Sequence, residues 1–66
     1  MTITVNGEPR DVTEGSSLAD LVTALGLTEI RLALELNCQV VPRATFEEST
    51  LNDGDAVEIV TLVGGG

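Results

Sequence analysis

Few residues of this 66-residue chain could do chemistry. Histidine is absent, and with it the side chain that most often moves protons near neutral pH. Lysine is absent too, which removes Schiff-base chemistry. Cys38 is the sole cysteine. It could serve as a nucleophile, but no basic residue stands beside it in sequence to favour the thiolate, and a packed or turn thiol is the other reading. One cysteine without histidine does not supply the ligands of a zinc site. The glycines near the N-terminus are not followed by the Gly-Lys-Ser/Thr of a phosphate loop. What remains is Val63-Gly64-Gly65-Gly66. A glycine tail is expected to be slender, extended and mobile, able to thread a narrow channel in another protein. The carboxylate of Gly66 is then a group that can be activated chemically. ATP could convert it to an acyl-adenylate, and a sulfur nucleophile could displace AMP to leave a thiocarboxylate. Neither step uses a side chain of this protein, so the chain is expected not to be an enzyme. Taken alone, terminal glycines also fit a frayed end.

Composition narrows the partners. Eleven acidic residues face three arginines, for a net charge of -8. That balance disfavours nucleic acid and anionic membranes, both polyanions, and suits docking onto a basic protein surface. The plainer reading of the acids is solubility. The length allows one domain, which would bury only about 60% of its unfolded surface. The core must be aliphatic, since Phe46 is the only aromatic residue. No signal peptide pattern and no apolar run of about 18 residues is present, and a lone cysteine forms no internal disulfide; a soluble, cytoplasmic protein is expected.

The elements that must carry the tail follow from periodicity. Met1, Ile3 and Val5 alternate with Thr2 and Thr4, a period-two strand. Asn6-Gly7 is a strong two-residue hairpin signal, so Glu8 to Val12 should return as a second strand. Pro9 puts that strand at a sheet edge. Ser17 reads as a helix N-cap with Asp20 closing a capping box. Leu18, Leu21, Val22 and Leu25 form one helical face, and Gly26 ends a helix spanning roughly 17–25. Leu32, Leu34 and Leu36 mark a third strand. Asn37-Cys38-Gln39 reads as a turn and Val40-Val41 as a short strand stopped by Pro42. The stretch 44–51 should be a short helical turn or loop anchored by Phe46 and Leu51. Asn52-Asp53-Gly54-Asp55 is a turn, and a last strand is expected over 56–63. One helix cannot cover both faces of a sheet. The expected architecture is α+β: a mixed sheet of four to five strands wrapped around one helix, its other face largely wet, which is the β-grasp arrangement. Residues 1–63 would form the domain and 64–66 the tail.

The sequence resembles the sulfur carrier family of thiamine biosynthesis, the ThiS family of the ubiquitin-like β-grasp superfamily, over essentially its whole length. The resemblance rests on the strand with Asn6-Gly7, on Leu18-x-x-Leu21, and on Ala33-Leu34-Glu35-Leu36-Asn37. It continues through Val40-Val41-Pro42-Arg43 with Phe46, then Asp53-Gly54-Asp55 and the Gly65-Gly66 end. Phe46 stands where the family usually has Trp or a similar residue, Gly64 where members tolerate a larger residue, and Cys38 where polar residues or Gly are usual. The resemblance implies a set of partners. A ThiF-type adenylating enzyme, related to E1 enzymes, uses ATP to activate Gly66. Sulfur comes from cysteine by way of a cysteine desulfurase. A ThiG-type thiazole synthase accepts the sulfur. No cofactor is bound to the carrier itself.

Strand alternation adds a surface. If Val57 and Ile59 face the helix, Glu58, Val60 and Leu62 stand on the wet face near the tail. Val60 and Leu62 are candidates for the partner dock, with Glu58 and neighbouring acids steering the encounter. Packing against other sheet side chains is the alternative. Arg43 could touch a partner, or serve as a structural cation near Glu47. Other functions stay open: a carrier for molybdopterin or another sulfur metabolite, a ubiquitin-like modifier, or a binding module with an inert tail.

Overall fold

Asn6 and Gly7 both lie at positive φ, 51° and 83°, as a two-residue hairpin loop requires. In the computed structural model, which describes residues 1–62, this turn joins β1 (Thr2–Val5) to β2 (Glu8–Asp11), with Val5 opposite Glu8 and Ile3 opposite Arg10. Val12 falls outside β2, although its backbone still exchanges hydrogen bonds with Met1. Helix α1 (Leu18–Ala24) follows. Its N-cap is Ser17, whose hydroxyl accepts from the Asp20 amide at 3.1 Å while the Asp20 carboxylate accepts from the Ser17 amide at 2.9 Å. This reciprocal box satisfies two donors that a helix start leaves unpaired. Gly26, at φ 73°, ends the helix in the left-handed conformation that glycine adopts without penalty.

Strands β3 (Leu32–Leu36) and β4 (Gln39–Val40) come next, then a 3-10 helix over Arg43–Glu48, and last β5 (Ala56–Thr61). The sheet order is β2-β1-β5-β3-β4. β5 is central, parallel to β1 and antiparallel to β3, and the other pairs are antiparallel. The mixed sheet around one helix expected with four to five strands is therefore present with five, and the fold is β-grasp. Besides Val12, two details differ from the sequence expectation. Gln39 belongs to a strand and not to the turn, because Asn37 and Cys38 alone make the loop, both at positive φ (51° and 69°). β4 consequently starts one residue early, and Val41 only extends it through its amide to the Leu34 carbonyl. The last strand is assigned through Thr61; Val63 and the tail 64–66 lie outside the described residues.

The core lies between one sheet face and α1. It consists of Ile3, Leu18, Leu21, Val22, Leu34, Phe46, Leu51, Val57 and Ile59, all buried. Leu25 packs at its margin. Each such side chain contributes about 1.5–3 kcal/mol of burial free energy, which a thin aliphatic core needs in full. The 3-10 helix supplies Phe46 as a lid on α1, and backbone bonds between Ser16 and Leu51 and between Leu18 and Ser49 tie the helix start to the following segment.

Candidate functional site: the central strand and its outer face

β5 is the last strand before the glycine tail in the sequence. Val57 and Ile59 point into the core, and the outward residues are Ala56, Glu58 and Val60, followed by Leu62. The alternation expected for this strand is observed. Val60 is 61% exposed and Leu62 48%, so neither is consumed by packing within the sheet. A third exposed apolar side chain, Val40 at 73%, lies on the same face across Glu35. Its place there depends on the two-residue turn, which sets the parity of β4; a reading that includes Gln39 in the turn misses it.

Both flanks of β5 are fixed by asparagine amides. β1 pairs with β5 only at Thr4–Ala56 and Val5–Val57. Beyond that point the Asn6 amide reaches the Val57 carbonyl at 2.8 Å, and the Asn6 side chain takes over. Its Oδ1 accepts from the Ile59 amide at 2.7 Å and its Nδ2 donates to the Ile59 carbonyl at 3.1 Å. On the other flank Asn37 Oδ1 accepts from the Ala56 amide at 2.9 Å, and its Nδ2 donates to Asp55 at 3.1 Å. Each asparagine thus serves twice: it tolerates the left-handed backbone of its hairpin and continues the ladder where the chain turns away. The signal in sequence was Asn at both turns; that their side chains reach β5 was not readable.

Arg43 is exposed and acts as a structural cation, but its partners are backbone carbonyls and not Glu47. Its guanidinium donates to the carbonyls of Ile30 at 2.6 Å, of Thr28, and of Leu27 at 3.4 Å. It therefore holds the segment that follows α1 rather than pairing with Glu47. A guanidinium suits this task because its donors form a rigid fork with no acceptor to satisfy. Cys38 is exposed and occupies a hairpin turn, and no role in the site follows from it. Among the described residues no three His, Cys, Asp or Glu side chains gather as a metal site, and no helix is long and apolar enough to cross a membrane. Gly64, Gly65 and Gly66, the residues predicted to carry the chemistry, lie outside the described residues.

The ThiS family model matches residues 3–66, from the first strand through the final glycine. The chain belongs to the ThiS family. This ThiS-family chain is also 36% identical to the sulfur carrier protein ThiS of Thermus thermophilus over 62 residues, covering 94% of this chain and 95% of that one. It superposes on the crystal structure of a thiamine biosynthesis protein (ThiS) from Geobacter metallireducens with a TM-score of 0.84, at 39% identity and with both chains fully covered. A third relative is longer. A protein of Paramagnetospirillum magneticum named thiazole synthase is 35% identical over all 66 residues, and the ThiS-family chain spans only 20% of its length.

Proposed function

We propose that this chain is a sulfur carrier of thiamine biosynthesis whose reactive group is the carboxylate of Gly66. The carboxylate attacks the α-phosphorus of ATP in a partner adenylating enzyme, releasing pyrophosphate and forming an acyl-adenylate. A sulfur nucleophile at the oxidation level of sulfide then displaces AMP, leaving a thiocarboxylate. A desulfurase takes the sulfur from cysteine as an enzyme persulfide, a thiol reductant brings it to the sulfide level for this step, and a thiazole synthase accepts it from the carrier. The observation that carries the reading is membership of the ThiS family over residues 3–66, a span that includes Gly65 and Gly66.

The carrier needs from its own chain a rigid platform and a slender stem. β5 is such a platform, being hydrogen-bonded on both sides and clamped by Asn6 and Asn37. Gly64 and Gly65 lack the Cβ that would widen the stem. Val60 and Leu62, exposed on the outer face, form the apolar part of the dock, and Glu58 adds charge beside them. Support for thiazole synthase as a partner comes from the relative of that name, which contains a region equivalent to this whole chain. Catalytic groups belong to the partners, and ATP is bound by the adenylating enzyme rather than by the carrier.

The deciding experiment is the intact mass of the chain after incubation with the adenylating enzyme, ATP and a sulfur source. Exchange of one oxygen for sulfur, mapped to Gly66, is expected. Isopeptide adducts would instead mark a protein modifier, and an unchanged mass would leave an inert tail.

A further inference from the structure

The outer sheet face is sorted by charge along the direction of β5. Glu35 and Glu58 stand directly opposite one another on β3 and β5, both exposed. Like charges in register across two strands repel and cost stability, and nothing on the inner face requires them. Two residues toward the tail, the facing pair is Ala33 and Val60, small and apolar. Two residues further, the Leu62 amide donates to the Arg31 carbonyl at 2.8 Å, so the ladder continues and Arg31 takes the outward parity of Ala33 and Glu35. Arg31 is exposed, while Arg43 is committed to backbone carbonyls. The face thus reads anionic, apolar, cationic over the four residue steps from Glu58 to Leu62, about 13 Å at strand rise.

We propose that this sign reversal orients the docked thiazole synthase, with Glu35, Glu58 and Arg31 as specificity-determining residues. The inference rests on the carrier reading above. The matching surface presents a lysine or arginine between Glu35 and Glu58, an apolar contact over Ala33, Val60 and Val40, and a carboxylate against Arg31. Reversing the partner end for end sets like charges against each other at both ends, so only one orientation is allowed, and in it Leu62, the last described residue, always meets the same part of the partner. Thiazole synthase is the occupant because a relative of that name contains a region similar to this whole chain within a longer polypeptide. A second copy of this chain could also match the pattern about a two-fold axis, but its own charge of -8 opposes that pairing.

The test is binding of this chain to the thiazole synthase of the same organism by isothermal titration. Four variants are compared with the wild type, with circular dichroism as the check on folding. Glu35→Lys with Glu58→Lys should weaken binding about tenfold or more. Glu35→Gln with Glu58→Gln should weaken it in the same direction should the charge reversal disturb the sheet. Glu47→Lys with Glu48→Lys, the same charge change beside α1, should alter binding by less than about threefold. Arg31→Glu is the sharpest arm. General attraction of an acidic chain to a basic partner predicts tighter binding, whereas the sorted face predicts weaker binding. Unchanged or tighter binding by Arg31→Glu overturns the proposal. So does an equal loss in the Glu47/Glu48 variant, a wild type that does not bind, or sedimentation showing that the face pairs two copies of this chain. The mass assay for sulfur loading is separate. A wild type that loads normally while the face variants bind normally refutes this inference and leaves the carrier reading intact.

Discussion

Asn6 grips Ile59 at both backbone atoms, accepting from its amide at 2.7 Å and donating to its carbonyl at 3.1 Å. The residues are 53 positions apart, and the grip continues the β1–β5 pairing after the chain has turned away. Asn6→Gly keeps the positive φ and removes only the amide. It should lower stability by about 1 kcal/mol, read as a lower urea midpoint at unchanged m. Asn6→Ala adds left-handed strain and should cost about 2 kcal/mol. An unchanged midpoint for Asn6→Gly would show that the clip contributes nothing.

Cys38 is a turn residue by geometry, at φ 69°. Glycine should suit that backbone better, so Cys38→Gly is expected to raise stability by about 0.5 kcal/mol. Cys38→Val, β-branched, should lower it by about 1 kcal/mol or more. Sulfur loading of the glycine variant should equal the wild type; loss of loading would give the thiol a chemical role.

Arg43 holds the carbonyls of residues 27, 28 and 30. Removing it as Arg43→Ala should speed hydrogen exchange at the Leu27 and Ile30 amides about fivefold. Arg43→Lys should restore little of the protection, because an ammonium cannot span three carbonyls as a fork does. Full protection in the lysine variant would mean that charge alone is needed.

At the tail, two changes separate platform from chemistry. Leu62 is half exposed, so Leu62→Glu should shift stability by no more than about 0.5 kcal/mol. Loading by the adenylating enzyme should fall about tenfold, measured as initial rate of thiocarboxylate formation. Normal loading would remove Leu62 from the dock. Deletion of Gly66 should leave the urea midpoint unchanged and abolish thiazole formation; a truncated chain that still supports it would refute the carboxylate mechanism.

The Ser17 cap gives a stability prediction independent of function. Ser17→Ala breaks the bond to the Asp20 amide and should cost about 1 kcal/mol, seen as a lower thermal midpoint. A helix of seven residues has little else to hold its start beyond packing.

Much of this was legible from sequence because the signals were local. Asn6-Gly7, the Ser17–Asp20 box, the Leu18, Leu21, Val22 stripe and the alternation in β5 each depend on near neighbours and on a fixed period. The β4 register was misread by one residue because Cys38 gave no sign of a left-handed backbone; a Gly there would have announced the two-residue turn. What Arg43 binds was unreadable in a different way. Its acceptors are backbone carbonyls, which every residue has, so no side-chain pattern points to them.

By itself the sequence determined the element order, the inward and outward faces of β5, and the absence of the usual catalytic side chains, all of which follow from residue type and spacing. Only the tertiary structure decided that β5 lies at the centre of the sheet, that two asparagines clamp it, and that Glu35 and Arg31 share one face with Glu58, Val60 and Leu62. These are pairings between segments far apart in the chain. Periodicity says which way a side chain points, but the neighbour it meets is set by strand order and register, and those are decided when the whole core is buried at once.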